Sequence, residues 1–136
     1  MVLFNLRSVL QKKILVQDDD EDIREVIKSI LDEVGFCVYT SKTIENLLTE
    51  INEFEPNVIL LDFRMYGADC IKACERTKAQ HPVLPVIAMS CNGNIHQLYQ
   101  KYLFDDYLAK PFDIETLIGV VERCFDLGSK PLKYSD

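Results

Sequence analysis

The 136-residue chain predicts a doubly wound α/β fold built on a five-stranded parallel sheet. Three observations carry that expectation. Short apolar runs alternate with amphipathic stretches through the whole chain, which implies strands joined by right-handed helical crossovers. One run, Val58-Ile59-Leu60-Leu61, is apolar without alternation, as expected of a central strand covered by helices on both faces. Residues able to do chemistry follow the runs at their carboxyl ends, where doubly wound folds bind ligands.

Taken in order, Ile14-Leu15-Val16 reads as the first strand, followed by the acidic block 18–22. Ile23, Val26, Ile27, Ile30, Leu31 and Val34 recur at three- and four-residue steps, a helix pattern that Gly35 closes as a C-cap. Residues 36–39 fit a second strand, and Ile44, Leu47, Leu48 and Ile51 a second helical stripe. The third strand, 58–61, precedes a less regular helix over 69–80. Residues 83–89 read as a fourth strand, with Pro85 admissible only near its start because it cannot donate to a ladder. A short, polar helix over 94–102 leads to a fifth strand near 107–109. Ile114, Leu117, Ile118, Val121, Cys124 and Phe125 then mark the last helix. Repeats, low-complexity segments and interdomain linkers are absent from the pattern, so the reading is an N-terminal extension (1–11), one domain (12–126) and a tail (127–136).

With 48% hydrophobic and 27% charged residues the chain reads as a soluble globular domain with a sizeable core. A net charge of -7 argues against DNA or RNA as a direct partner, because phosphate binding needs clustered Lys and Arg. No apolar run approaches the ~20 residues that cross a bilayer. The mildly apolar start, Met1 to Leu10, is interrupted by Asn5 and Arg7 and lacks a small-residue cleavage site, which favours a turn or strand at the domain edge, or a remnant of an upstream segment, over a signal peptide. A cytoplasmic location is expected. Cys37, Cys70, Cys74, Cys91 and Cys124 contain no CxxC pair. Cys70 and Cys74 share a helical face, but further ligands at short spacing are missing, so buried free thiols in a reducing compartment account for the set better than zinc.

The strand ends collect the chemistry. The first delivers Asp18 and Asp19, the third Asp62, the fourth Ser90 and the fifth Lys110. One Asp after a strand is ordinarily a helix N-cap; three carboxylates, a hydroxyl and an ammonium at one edge ask for another reason. Crowded carboxylates repel, and one tends to keep a proton unless a hard cation neutralises them. Mg²⁺, which takes a few carboxylates plus water and phosphate oxygens, fits better than Ca²⁺, for which no ladder of oxygen ligands is present. Acids, Mg²⁺, a hydroxyl and a Lys are what phosphoryl transfer to a carboxylate requires. Asp20, Glu21 and Asp22 are assigned instead to the helix macrodipole. His81 and His96 lack a placed partner and are given no catalytic role.

Over about residues 12–126 the chain resembles the receiver domain of bacterial two-component response regulators. The resemblance rests on Lys13-Ile-Leu-Val-Gln-Asp-Asp-Asp-Glu-Asp-Ile23, Val58-Ile-Leu-Leu-Asp-Phe-Arg-Met65, Pro85-Val-Ile-Ala-Met-Ser90 and Asp105-Asp-Tyr-Leu-Ala-Lys-Pro-Phe112, in the family's order and approximate spacing. It implies a flavodoxin-like (βα)5 fold with strand order 2-1-3-4-5. It also implies a phosphoacceptor, Asp62, served by a histidine kinase or histidine phosphotransfer protein. Asp19 would ligate Mg²⁺ directly and Asp18 largely through water, with Asp62 and the backbone carbonyl of Arg64 completing the site. Lys110, joined to Pro111 by a cis bond, would pair with the phosphoryl group, and Ser90 would bond one of its oxygens. Tyr107 would then change rotamer and reshape the face made by the fourth helix, fifth strand and fifth helix. That face would signal to a downstream protein and offers a surface for a homodimer. Such a domain is not an enzyme with a separate substrate, although it assists its own phosphorylation and dephosphorylation.

Several positions depart from the family pattern. Gln17 stands at a usually apolar position; Tyr66 and Cys70 replace the usual Pro and Gly, although Asp69 remains. Cys91 follows Ser90 where a very small residue is usual, and is expected to slow access to Asp62. Arg64 and Asn92 occupy variable positions that tune phosphoryl lifetime in the family. The fourth-helix segment, 92–104, is short, and Leu103-Phe104 replaces the usual Gly-Ala. Two alternatives therefore stand beside the phosphoacceptor: a receiver-like interaction module independent of phosphorylation, and an aspartyl-phosphate phosphatase. The latter places a second acid where this chain has Arg64.

Overall fold

A computed structural model describes residues 12–64 and 67–129; the N-terminal extension, Met65, Tyr66 and residues 130–136 lie outside the described residues. Five strands, β1 (Lys13–Gln17), β2 (Cys37–Ser41), β3 (Val58–Asp62), β4 (Val86–Ser90) and β5 (Asp106–Ala109), form one parallel sheet in the order β2-β1-β3-β4-β5. Between and after them run α1 (Glu21–Val34), α2 (Leu47–Phe54), α3 (Ala68–Gln80), α4 (Ile95–Leu98) and α5 (Ile114–Ser129). The expected strand order is the observed one. The last helix continues past the boundary read at 126.

The helices divide between two faces, and the strands feed both. Ile14, Val16, Val58 and Leu60 pack with Ile27 and Leu31 of α1 and Leu117, Val121 and Cys124 of α5. Leu15, Ile59 and Leu61 point the other way, against Leu47 and Ile51 of α2, Cys70 and Cys74 of α3, and Ile95 of α4. Two-residue periodicity therefore sends alternate side chains into two separate cores, which is why β3 shows no polar alternation. Asp20 caps α1, its carboxylate accepting from the amides of Asp22 (2.9 Å) and Ile23 (3.4 Å). Gly35 ends that helix at φ 110°, a left-handed conformation natural to glycine. Glu21 and Asp22 fall in the first turn of that helix, where the macrodipole favours acidic side chains.

Three elements differ from expectation. The fourth strand begins at Val86, not at 83, because Pro85 cannot donate to a ladder; Val83 lies in the preceding turn, 86% exposed. The second helix is shifted: Ile44 sits in a turn whose carbonyl accepts from the Leu47 amide, and the helix runs on to Phe54. The fourth helix is a single turn rather than 94–102. It is preceded by Asn92, Gly93 and Asn94, which favour local turns, and the Asn92 carboxamide accepts from the Asn94 amide at 2.8 Å.

The chain then turns back through Leu103, whose φ of 72° is left-handed, so that Phe104 can bury edge-on against Phe63. A non-glycine residue there costs about 1–2 kcal/mol, and the Leu103 side chain is 51% exposed and recovers little of it. Leu103→Gly is therefore expected to raise the unfolding free energy by about 1 kcal/mol in urea denaturation. An unchanged or lower midpoint would show that the Leu side chain makes contacts that matter.

Candidate functional site

The parallel register brings every strand-end residue to one edge. Asp62 and Ser90 are the last residues of β3 and β4, Asp18 and Asp19 follow β1, and Lys110 follows β5. Gln17 pairs with Leu61, Asp62 with Met89, and Ser90 with Ala109, so the carboxyl ends are level. The backbone continues this alignment past the strands: the Asp18 amide donates to the Ser41 carbonyl (3.0 Å) and the Lys110 amide to the Ser90 carbonyl (2.8 Å).

The Lys110 ammonium lies between two acids, 2.6 Å from Asp18 Oδ2 and 3.1 Å from Asp62 Oδ1. Asp18 is 1% and Asp62 9% exposed, so this is a largely desolvated pair. Asp18 is held further by the Asp20 amide on Oδ1 (2.9 Å) and by Arg24, whose Nη1 donates to its carbonyl (2.9 Å). The Lys110–Pro111 bond is cis, as the resemblance implied. On the outer side the Arg64 guanidinium pairs with Asp19 Oδ1 and turns Nε toward Asp62 Oδ2 at 3.4 Å. Ser90 is buried, and its Oγ accepts from the Asn92 amide at 2.9 Å, which leaves the hydroxyl proton free to donate.

Burial raises the Asp62 carboxyl above its ordinary range; Lys110 opposes this, the neighbouring Asp18 charge reinforces it, and Arg64 offsets it further. Burial also works against the Lys110 ammonium, yet the hydrogen bond to Asp18 and the charges of both acids outweigh it and leave that pKa raised. Asp62 is the carboxylate for which the site supplies too little positive charge. Oxygens of Asp18, Asp19 and Asp62 lie within 4.8 Å of one another. Three hard carboxylate donors, crowded and under-neutralised, suit Mg²⁺.

A family model described as the response regulator receiver domain matches residues 14–122. The chain belongs to that family. Receiver domains are the phosphoacceptors of two-component systems; they bind Mg²⁺ at an acidic pocket and exchange phosphoryl groups with histidine kinases or phosphotransfer proteins. The chain is 37% identical over 111 residues to the DNA-binding transcriptional regulator NtrC of Salmonella typhimurium, covering 79% of this chain and 24% of that protein. It is 32% identical over 117 residues to the nitrogen assimilation regulatory protein NtrX of Azorhizobium caulinodans, covering 83% and 26%. It thus spans about a quarter of the length of these curated relatives. Among solved structures, the receiver domain of NtrX from Brucella abortus superposes with a TM-score of 0.75 at 34% identity, over 83% of this chain and 98% of that one. The regulator TrrA of Thermotoga maritima, solved with Mg²⁺ and BeF, shares the fold with a TM-score of 0.74 at 24% identity, over 84% and 99%.

Other receiver positions fall as follows. Tyr107 is half-buried, its ring 5.1 Å from that of Tyr99, at the boundary of α4 and β5. Gln17 is buried; its amide nitrogen donates to the Lys42 carbonyl (3.1 Å), while among the described residues its Oε1 has no partner. Cys70, Cys74 and Cys124 are buried thiols, but Cys91 is exposed and Cys37 half-buried, so burial does not explain all five cysteines. Cys91 follows the strand's last residue and leaves the sheet, which is why it meets solvent. Burial pushes the Cys74 thiol up to about 12 and the Cys70 thiol higher still, so both stay protonated. The Cys70 thiol donates to the Asp62 carbonyl at 3.1 Å, at the end of β3.

Gly67 was not legible as a site residue. A Cβ there would stand 2.7 Å from the Arg64 carbonyl oxygen and 3.0 Å from the Phe63 ring. The available signal was a glycine just ahead of a helix and shortly after β3. Gly67→Ala is expected to displace the Arg64 carbonyl and weaken Mg²⁺ binding about tenfold, the scale of a perturbed ligand support. Calorimetric titration with Mg²⁺ measures this; wild-type affinity in the variant would separate that carbonyl from the metal.

Proposed function

We propose that Asp62 is the phosphoryl acceptor of this receiver domain and that Asp18, Asp19, Asp62 and the Arg64 backbone carbonyl hold Mg²⁺ beside it. The observation that carries this reading is the Lys110 ammonium set between Asp18 and Asp62 at the aligned strand ends. A donor phosphohistidine presents its phosphorus to an Asp62 oxygen; the O–P bond forms as the P–N bond breaks, and the imidazole leaves with the electron pair. Bound Mg²⁺ supplies charge neutralisation for the phosphoryl oxygens. Lys110, already 3.1 Å from Asp62, turns to a phosphoryl oxygen, and the free Ser90 proton is donated to another.

The movement of Ser90 toward the phosphoryl group makes room for Tyr107 to leave its place against Tyr99. That step links the local charge change to the α4–β5–α5 face, which contacts a downstream protein or a second copy. The acidic charge of the chain fits an output through protein contact rather than direct contact of this domain with nucleic acid. Among the described residues no helix is long and apolar enough to cross a membrane.

Intact-mass measurement after incubation with Mg²⁺ and acetyl phosphate tests the assignment. Wild type is expected to gain one phosphate and Asp62→Asn none. A phosphate on the Asp62→Asn chain would place the acceptor elsewhere, and no adduct from any donor would favour the phosphorylation-independent module.

A further inference from the structure

We propose that the Arg64 side chain is an internal competitor of Mg²⁺, a tethered cation that must leave Asp19 and Asp62 before the ion can bind. The inference rests on the Mg²⁺ site proposed above. Two cations already divide the three carboxylates. Lys110 takes Asp18 Oδ2 and Asp62 Oδ1, while Arg64 takes Asp19 Oδ1 and approaches Asp62 Oδ2. An ion seated among Asp18, Asp19 and Asp62 needs oxygens from both of the acids that Arg64 engages. The two cations are not equally placed to yield. Lys110 is enclosed at the end of β5, with its side chain 13% exposed, whereas the Arg64 side chain is 61% exposed and can swing into solvent.

Arg suits this role better than Lys would, because its planar fork reaches two carboxylates at once. In the metal-free protein it screens the repulsion between Asp19 and Asp62. On Mg²⁺ binding the same residue gives up its side-chain contacts while its backbone carbonyl stays beside the site. Metal affinity is then set by a difference between two cations rather than by the acids alone.

The test compares Mg²⁺ titrations of the full chain with Arg64→Gln and Arg64→Lys, followed by calorimetry and by NMR of the arginine Nε–H signals. At low ionic strength Arg64→Gln is expected to bind Mg²⁺ about threefold to tenfold more tightly, with Arg64→Lys intermediate, the scale of partly exposed ion pairs. The difference should narrow at high salt, which screens such pairs. The wild-type Arg64 Nε–H signal should move toward that of a free arginine with the same midpoint as metal binding. Equal or weaker binding by Arg64→Gln, or a signal that stays fixed while the protein saturates, overturns the competition and leaves the Mg²⁺ site intact. No saturable binding by any of the three proteins overturns the site itself, and the competition with it.

Discussion

Replacing Lys110 with Met is expected to lower the metal-free protein's unfolding free energy by about 3 kcal/mol at pH 7, roughly 10 °C in Tm, and to cut phosphorylation by acetyl phosphate at least tenfold. The ammonium is the nearest cation to Asp18 and reaches Asp62 as well, in a part of the molecule with little water. Its removal leaves buried carboxylates facing one another, and that penalty exceeds anything Met gains by packing. The raised Lys110 pKa sets the sign of the pH dependence: its stabilisation is full below the unfolded lysine value of about 10.4 and is lost as pH rises through the higher folded value. The wild-type advantage should also shrink in acid, as the partner carboxylates take up protons. Saturating Mg²⁺ should return part of the loss by binding only the folded form. Thermal melts in chelator and in Mg²⁺ measure all of this. A variant that melts within a degree or two of wild type in chelator would mean that the ion pairs contribute nothing net.

Replacing Asp62 with Asn has the opposite effect on stability and a larger one on function. Phosphate incorporation should be abolished, while the metal-free chain becomes more stable at pH 7 by about 1 kcal/mol, the scale typical when a functional group is relieved of its strain. The cause is the burial that raises the Asp62 pKa. A carboxyl whose folded pKa is raised contributes favourably below its unfolded value of about 3.9, and that contribution disappears as pH climbs through the folded value. At neutral pH the ionised wild type therefore bears a cost that the neutral amide avoids. Melting curves from pH 7 downward should show the two proteins converging as Asp62 becomes protonated in both folded and unfolded states. A gap that stayed constant with pH, or favoured wild type in chelator, would contradict the charge argument.

The fold was legible because the short apolar run of β3 fits a strand covered on both faces, and because α1 and α5 carry clear helical stripes. The weaker stripes misplaced α2, and the start of β4 was read at 83, three residues too early, because Val83 and Leu84 extend the apolar run across Pro85. The fourth helix failed for a local reason, its Asn-rich start and the tight return that buries Phe104. At the site, Asp18, Asp19, Asp62, Ser90 and Lys110 could be named because each ends a strand or follows one within two residues. Gly67 could not, because its meaning is a distance to a carbonyl oxygen.

By itself the sequence determined the succession of strands and helices and the edge at which Asp18, Asp19, Asp62, Ser90 and Lys110 collect, while the strand order followed from the family resemblance. Periodicity and strand ends are properties of the chain read one residue at a time. Only the tertiary structure decided how charge is shared there: Lys110 between Asp18 and Asp62, and Arg64 from Asp19 to Asp62. All but the Arg64–Asp62 approach join residues far apart in the chain, and electrostatic energy depends on separation and burial in space, neither of which a linear sequence carries.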